Sequence, residues 1–232
     1  MIDSVRTTVL AIANKNNFGY ISPNDFNLYA KQAQIDLFED CFYQYNAQIR
    51  KENVRQSGTG YADITKGIEE VIDSFSSVVT LSQASANTYT LPDDYYLMNR
   101  IMYGTAEVER VSQAKIIMLT NSMLTAPTST YPAYVLSGNT ITVYPTTIQG
   151  ATDISAQYIR YPEDPKWTYV EINDGEPAFE GTASDYKDFE LPQSYEPSLV
   201  IKILQYAGVS IREGDVVSFA NNEELKEQQQ EQ

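Results

Sequence analysis

Carboxylates, lysine and tyrosine are the side chains left in this sequence for acid–base chemistry, and the carboxylates gather in two places. Asp93-Asp94 follows Leu91-Pro92, and Glu163, Asp164, Glu171, Asp174 and Glu176 form the densest acidic cluster. Neighbours on a strand point to opposite faces, so Asp93 and Asp94 converge on a metal only where the segment turns. A polar turn after proline accounts for them equally well. Two of the clustered carboxylates can in principle flank a glycosidic bond, a chemistry set by carboxylate separation; a solvated acidic loop is the simpler reading of such a charge run. The chain has no histidine and one cysteine, Cys41. That removes Ser-His-Asp and Cys-His nucleophiles, zincin-type sites, an internal disulfide and any multi-cysteine metal cluster. Cys41 stands in the apolar run Leu37-Phe38-Glu39-Asp40-Cys41-Phe42, which predicts a buried structural thiol. Gly-rich phosphate loops, dinucleotide fingerprints and EF-hand loops do not occur. The expectation is a protein with no catalytic residue, no metal and no cofactor.

The net charge of −15 argues against a protein whose task is to grip nucleic acid, because phosphate binding needs clustered Lys and Arg. At 42% hydrophobic and 20% charged, the composition is that of an ordinary globular protein with enough apolar residues for a core. No apolar run reaches the length of a membrane span and no signal-like segment opens the chain, which predicts a protein made and used without crossing a membrane. Eighteen tyrosines stand beside one tryptophan. Tyrosine suits protein interfaces and half-buried strands, and composition leaves both readings open.

The elements that must position these residues follow from periodicity. Ile2, Val5, Val9 and Ile12 predict a first helix. Ser22-Pro23-Asn24-Asp25 predicts the start of a long second helix, with Ser22 as N-cap, ending between Lys51 and Gln56. Asp63 is placed to cap a third helix carrying Ile64, Ile68, Val71, Ile72 and Phe75. From Ser77 the period changes to short strands, SVVTLSQ, TYTLP, YLMNRIMYG and VERVS. A short helix at AKIIMLTNSML, with Ile116, Leu119 and Met123 on one face, interrupts them. Pro132 to Pro145 predicts a hairpin turning at Gly138-Asn139, with Tyr134, Leu136, Ile141 and Val143 on a buried face, and DISAQYIRYPEDP adds a strand. Thr168 to Lys187 shows no sustained period. A helix follows Leu191-Pro192, with Val200, Ile203, Leu204, Ala207 and Ile211 on one face, and VVSFANNEELKEQ is predicted as a last amphipathic helix before a polar tail.

Helices, then strands with one inserted helix, then helices again is the pattern of an α+β fold. The expected architecture packs the N- and C-terminal helices as a helical bundle beside a small antiparallel β-sandwich or barrel. The corresponding divisions are 1–76 (helical), 77–166 (β-domain with the inserted helix), 167–190 (acidic loop excursion) and 191–232 (C-terminal helices and tail).

The stretches TYTLPDDYYLMNRIMYG, TYPAYVLSGNTITVYPTT, DISAQYIRYPEDP and LPQSYEPSLVIKILQYAG, in that order, resemble the head-to-tail connector ring proteins of short-tailed bacteriophages. These are of the adaptor or tail-tubular type, and the chain looks closest to those of crAss-like phages. The resemblance spans roughly residues 77 to 212; the acidic segment Trp167 to Asp188 is longer than the family pattern needs. It implies a structural virion protein and not an enzyme: a subunit of a twelve-membered ring that docks on the portal and on an adjacent tail ring or tail protein. The protein is then assembled in the host cytoplasm, touches no membrane, and lets DNA pass through without specific binding. An acidic bore would repel phosphate and let the genome slide. Val216, Phe219 and Leu225 are the expected assembly contacts, with Phe219 and Leu225 expected in a neighbour's groove. The alternatives are a carbohydrate- or protein-binding β module on a helical base and a histidine-free carboxylate hydrolase acting on polysaccharide.

Overall fold

The computed structural model describes residues 1–13, 21–55, 62–172 and 176–211. In chain order its helices and strands are α1 (Ile2–Ala13), α2 (Pro23–Arg55), α3 (Ala62–Ser74), β1 (Ser76–Thr80), β2 (Ser82–Ser85), β3 (Thr88–Thr90), β4 (Tyr95–Tyr103), β5 (Ala106–Glu107), β6 (Glu109–Arg110), α4 (Gln113–Thr120), β7 (Ala133–Ser137), β8 (Thr140–Tyr144), β9 (Ile154–Arg160), β10 (Tyr169–Ile172), β11 (Glu176–Phe179) and α5 (Glu196–Ile211). They form two compact units, Met1–Val71 with Pro162–Gln232, and Ile72–Tyr161. The fold is α+β, as the segregated periodicities predict.

In the first unit, the Ser22 cap forms as its sequence predicts. Asp25 N–H donates to Ser22 Oγ at 3.2 Å, and Ser22 Oγ–H donates back to Asp25 Oδ2 at 2.7 Å. This reciprocal pairing satisfies an orphan amide at the helix start and places a negative charge where the macrodipole favours it. From there α2 runs for 33 residues, about 50 Å of helix at the standard rise. Phe26, Ala30, Ala33, Leu37, Phe38 and Cys41 are buried along it, a repeat of three and four that keeps one stripe inward. The buried Leu199, Val200, Ile203, Leu204 and Ala207 of α5 answer that stripe, and α5 packs against both α1 and α2. Helices α1, α2 and α5 therefore share one core. Helix α3 begins at Ala62, so Asp63 lies inside its first turn and not at the cap position. The proposed last helix and the tail, with Val216, Phe219 and Leu225, lie outside the described residues.

The second unit is a β-sandwich of two sheets, ordered β1-β9-β4-β5 and β2-β3-β8-β7-β6. The chain switches sheets at Leu81, whose N–H bonds the Ile154 carbonyl at 2.9 Å while its side chain is buried. Leu81, Tyr89, Leu91, Ile101, Val108, Tyr134, Ile141, Val143, Ile148, Ile154 and Ala156 form the core between the sheets. The β7–β8 hairpin turns at Gly138-Asn139 with Gly138 at φ +57°, the left-handed conformation that glycine adopts without steric cost. Two expectations change here. Strand β7 was expected to bury one face, but Ala133 and Val135 on its other face are buried too, because they cluster with Ile116 of α4. Helix α4 ends at Thr120, where Asn121 N–H closes on the Ile117 carbonyl at 3.2 Å, so Met123 leaves the expected helical face and stands fully exposed.

Candidate functional site

Among the described residues, the carboxylates singled out from sequence do not converge. Asp93 and Asp94 form a turn before β4, and Asp94 is used structurally. Tyr158 donates its hydroxyl to Asp94 Oδ1 at 3.0 Å, and Tyr161 N–H reaches the Asp94 carbonyl at 2.8 Å. Burial, and then the bond to that carboxylate, push the Tyr158 hydroxyl above its ordinary 10.0. In the second cluster, Glu163 is taken by Lys187 and Asp164 by Lys31 at 2.7 Å. Glu171 pairs across the β10–β11 hairpin with Pro177, and Glu176 with Ile172. Because successive pairs face opposite sides of a strand ladder, the Glu171 and Glu176 carboxylates point apart. Asp174 lies outside the described residues. Cys41 is buried, its Sγ 3.5 Å from the Tyr195 hydroxyl. Among the described residues no three of Cys, Asp and Glu group closely enough to hold a metal ion, and no helix is long and apolar enough to cross a membrane.

The acidic stretch 167–190, expected as an irregular loop, carries the β10–β11 hairpin and is tied to α1 and α2 through its described residues. Its anchor is Trp167, which is buried. Trp167 N–H donates to Asn27 Oδ1 at 2.8 Å, its carbonyl accepts from Asn27 Nδ2 at 3.1 Å, and its Nε1–H donates to Asp3 Oδ1 at 2.9 Å. The Arg6 guanidinium lies 3.8 Å from the centre of the indole, a cation–π contact. Tyr169 and Phe179 stack on the same ring at 5.7 and 5.9 Å. Asn27, Lys31 and Gln34 recur at helical spacing on α2 and reach Trp167, Asp164 and Glu163 in turn, with Gln34 Nε2 2.7 Å from the Glu163 carbonyl. Gln34 Oε1 also accepts from Glu190 N–H at 3.0 Å. Asp188 closes the far end, accepting from the Met1 ammonium at 3.0 Å and from Ile2 N–H at 2.8 Å. Burial pushes the Asp188 carboxyl up, but the bonds from the Met1 ammonium and the Ile2 and Phe189 amides outweigh it, so it sits below its ordinary 3.8.

This scaffold presents the β10–β11 hairpin. Tyr169 and Phe179 pair on the side that stacks on Trp167, so Val170, Ala178 and Ile172 occupy the other side, where Val170 and Ile172 are exposed. The sequence did carry a signal for it. WTYVEI and EPAFE are strand-prone runs around Asp174-Gly175, a hairpin pattern, overshadowed by the density of acids. In the second unit, α4 and the loop after it expose Ile117, Met118, Met123, Leu124 and Tyr131. Among the described residues, both units thus expose apolar side chains, while no carboxylates converge on a metal-binding group. The family model for SU10 adaptor protein matches residues 31–232. No curated protein matches the chain.

Proposed function

This chain belongs to the SU10 adaptor protein family, phage structural adaptor proteins, and from that premise we propose that it is a subunit of the connector ring between portal and tail. The match over residues 31–232 is the observation that carries the reading. Within the family, the ordered Leu-Pro, Tyr-Pro and hairpin motifs support kinship with the ring proteins of crAss-like phages. The ring has twelve members by that resemblance, docks on the portal and on an adjacent tail component at the head–tail junction of the virion, and is built in the host cytoplasm. Its role is geometric and passive, not enzymatic: it extends the DNA channel. The net charge of −15 supports this, since an acidic bore repels phosphate and lets DNA slide without binding. Exposed apolar surfaces in both units supply the kind of contact that assembly requires. Val216, Phe219 and Leu225 remain the proposed contacts of the C-terminal segment.

Negative-stain electron microscopy of the purified chain, alone and mixed with the portal protein of the same phage, tests the proposal. Rings on the portal are the expected result. A monodisperse monomer that ignores the portal would overturn it.

A further inference from the structure

Between Lys115 and Asp153 the chain contains no Asp, Glu, Lys or Arg. In a protein of net charge −15 this long neutral stretch is anomalous, and it opens with α4 and the loop that follows. Ile116 turns inward against Ala133 and Val135. Leu119 is half-buried, but five large apolar side chains of that segment stand in water: Ile117 is 61% exposed, Met118 73%, Tyr131 80%, Leu124 97% and Met123 102%. Their backbone is nonetheless tied down. Ser122 N–H bonds the Leu119 carbonyl at 3.1 Å, Ala126 N–H the Ser122 carbonyl at 3.1 Å, and Thr128 and Tyr131 exchange N–H to carbonyl bonds at 3.2 and 3.1 Å. A hydrogen-bonded segment that holds apolar side chains out to solvent is what a surface covered on assembly looks like.

We propose that this neutral surface, from Ile117 to Tyr131, docks on a second copy of this chain. The inference rests on the ring reading and specifies which face of the subunit makes the lateral contact. Charge selects the occupant. Two copies repel as like-charged bodies, and like charges brought together at an interface are costly; a neutral apolar face is where such copies meet without that cost. A foreign partner of opposite charge would instead be drawn to the acidic surface. The β10–β11 hairpin shows the contrast, since its exposed Val170 and Ile172 share their side with Glu176, the cross-strand partner of Ile172.

A photo-crosslinking amino acid at position 123 of the full chain, irradiated alone and with the portal protein, reads the neighbour directly, while negative stain scores rings in the same samples. Adducts between two copies are the expected result. Rings without such adducts, or adducts to the portal alone, overturn the docking surface and leave the connector reading intact. Adducts between copies in samples that never form rings keep the surface and overturn the connector reading, and absence of both overturns both. As a second measurement, Met123→Asp with Leu124→Asp weakens self-association at least about tenfold in sedimentation, with an unchanged unfolding curve because neither side chain is buried. Unaltered association overturns the proposal.

Discussion

Replacing Asn27 by alanine tests the claim that a polar stripe on α2, not apolar burial alone, holds the returning segment. The substitution removes the acceptor of Trp167 N–H and the donor to its carbonyl. Each part-buried main-chain group left without its partner costs about 1 to 1.5 kcal/mol. Alanine is the better helix former and returns about 0.5 kcal/mol, so the net loss is about 2 kcal/mol. The assay is urea unfolding followed by tryptophan emission, because Trp167 is the only tryptophan in the chain and sits at the perturbed site. The midpoint falls while the denaturant slope stays constant, as for a change in stability without a change in the states compared. Native emission stays close to wild type, since Arg6, Tyr169 and Phe179 still enclose the ring. Asn24→Ala, one turn earlier on α2 at an exposed position, is the control and shows only the propensity gain. A loss under about 0.5 kcal/mol for Asn27→Ala would refute the reasoning, and so would an equal effect in both variants.

Trp167→Ala removes the ring on which Tyr169 and Phe179 stack; a loss of about 3 to 5 kcal/mol is expected, with amide exchange in β10 and β11 rising more than in α5. Equal protection of the hairpin before and after would show that Trp167 does not hold it. The Asp188 carboxyl lies below its ordinary 3.8 in the folded chain, so its contribution is present above that value and is lost as pH falls through the lower folded value. Asp188→Asn should therefore flatten the acid limb of a stability–pH profile below about pH 4; an unchanged limb assigns acid unfolding to other groups. Ala86 holds φ +30° at an exposed turn, a region that favours glycine. Ala86→Gly is expected to leave stability level or raise it by about 0.5 kcal/mol, read as a shift in thermal midpoint, and a clear loss contradicts the backbone argument.

Much of the fold was legible because local chemistry and tertiary packing agree over long stretches. Ser22 to Asp25 announces a helix start by itself, and Gly138-Asn139 announces a tight hairpin, since both signals depend on backbone groups within a few residues. The α2 and α5 stripes were legible because a period of three and four leaves one side for the core. Elsewhere tertiary contacts decided. Val135 points to the outer face of β7 yet is buried, because α4 lies over it. Met123 has the right spacing to continue α4 but the helix closes at Asn121. The acidic run from Glu163 to Asp188 reads as solvated because Glu163, Asp164 and Asp188 look alike in one dimension, and only their partners Lys187, Lys31 and the Met1 ammonium set these carboxylates apart.

The sequence by itself determined the chemistry this protein lacks the groups for, the α+β order of its elements, and, through the order of its motifs, its kinship with phage adaptor proteins. Those properties reside in residue type and near-neighbour spacing. The tertiary structure decided which apolar residues stay in water. The sequence distinguishes Ile116 from Ile117 only by position, but α4 lies on β7 through one and shows the other to solvent. Trp167 is likewise one aromatic among many until Arg6, Asn27 and Asp3 close around it. Burial depends on what a side chain meets from distant parts of the chain, and for that reason the contact surfaces became visible only in the folded molecule.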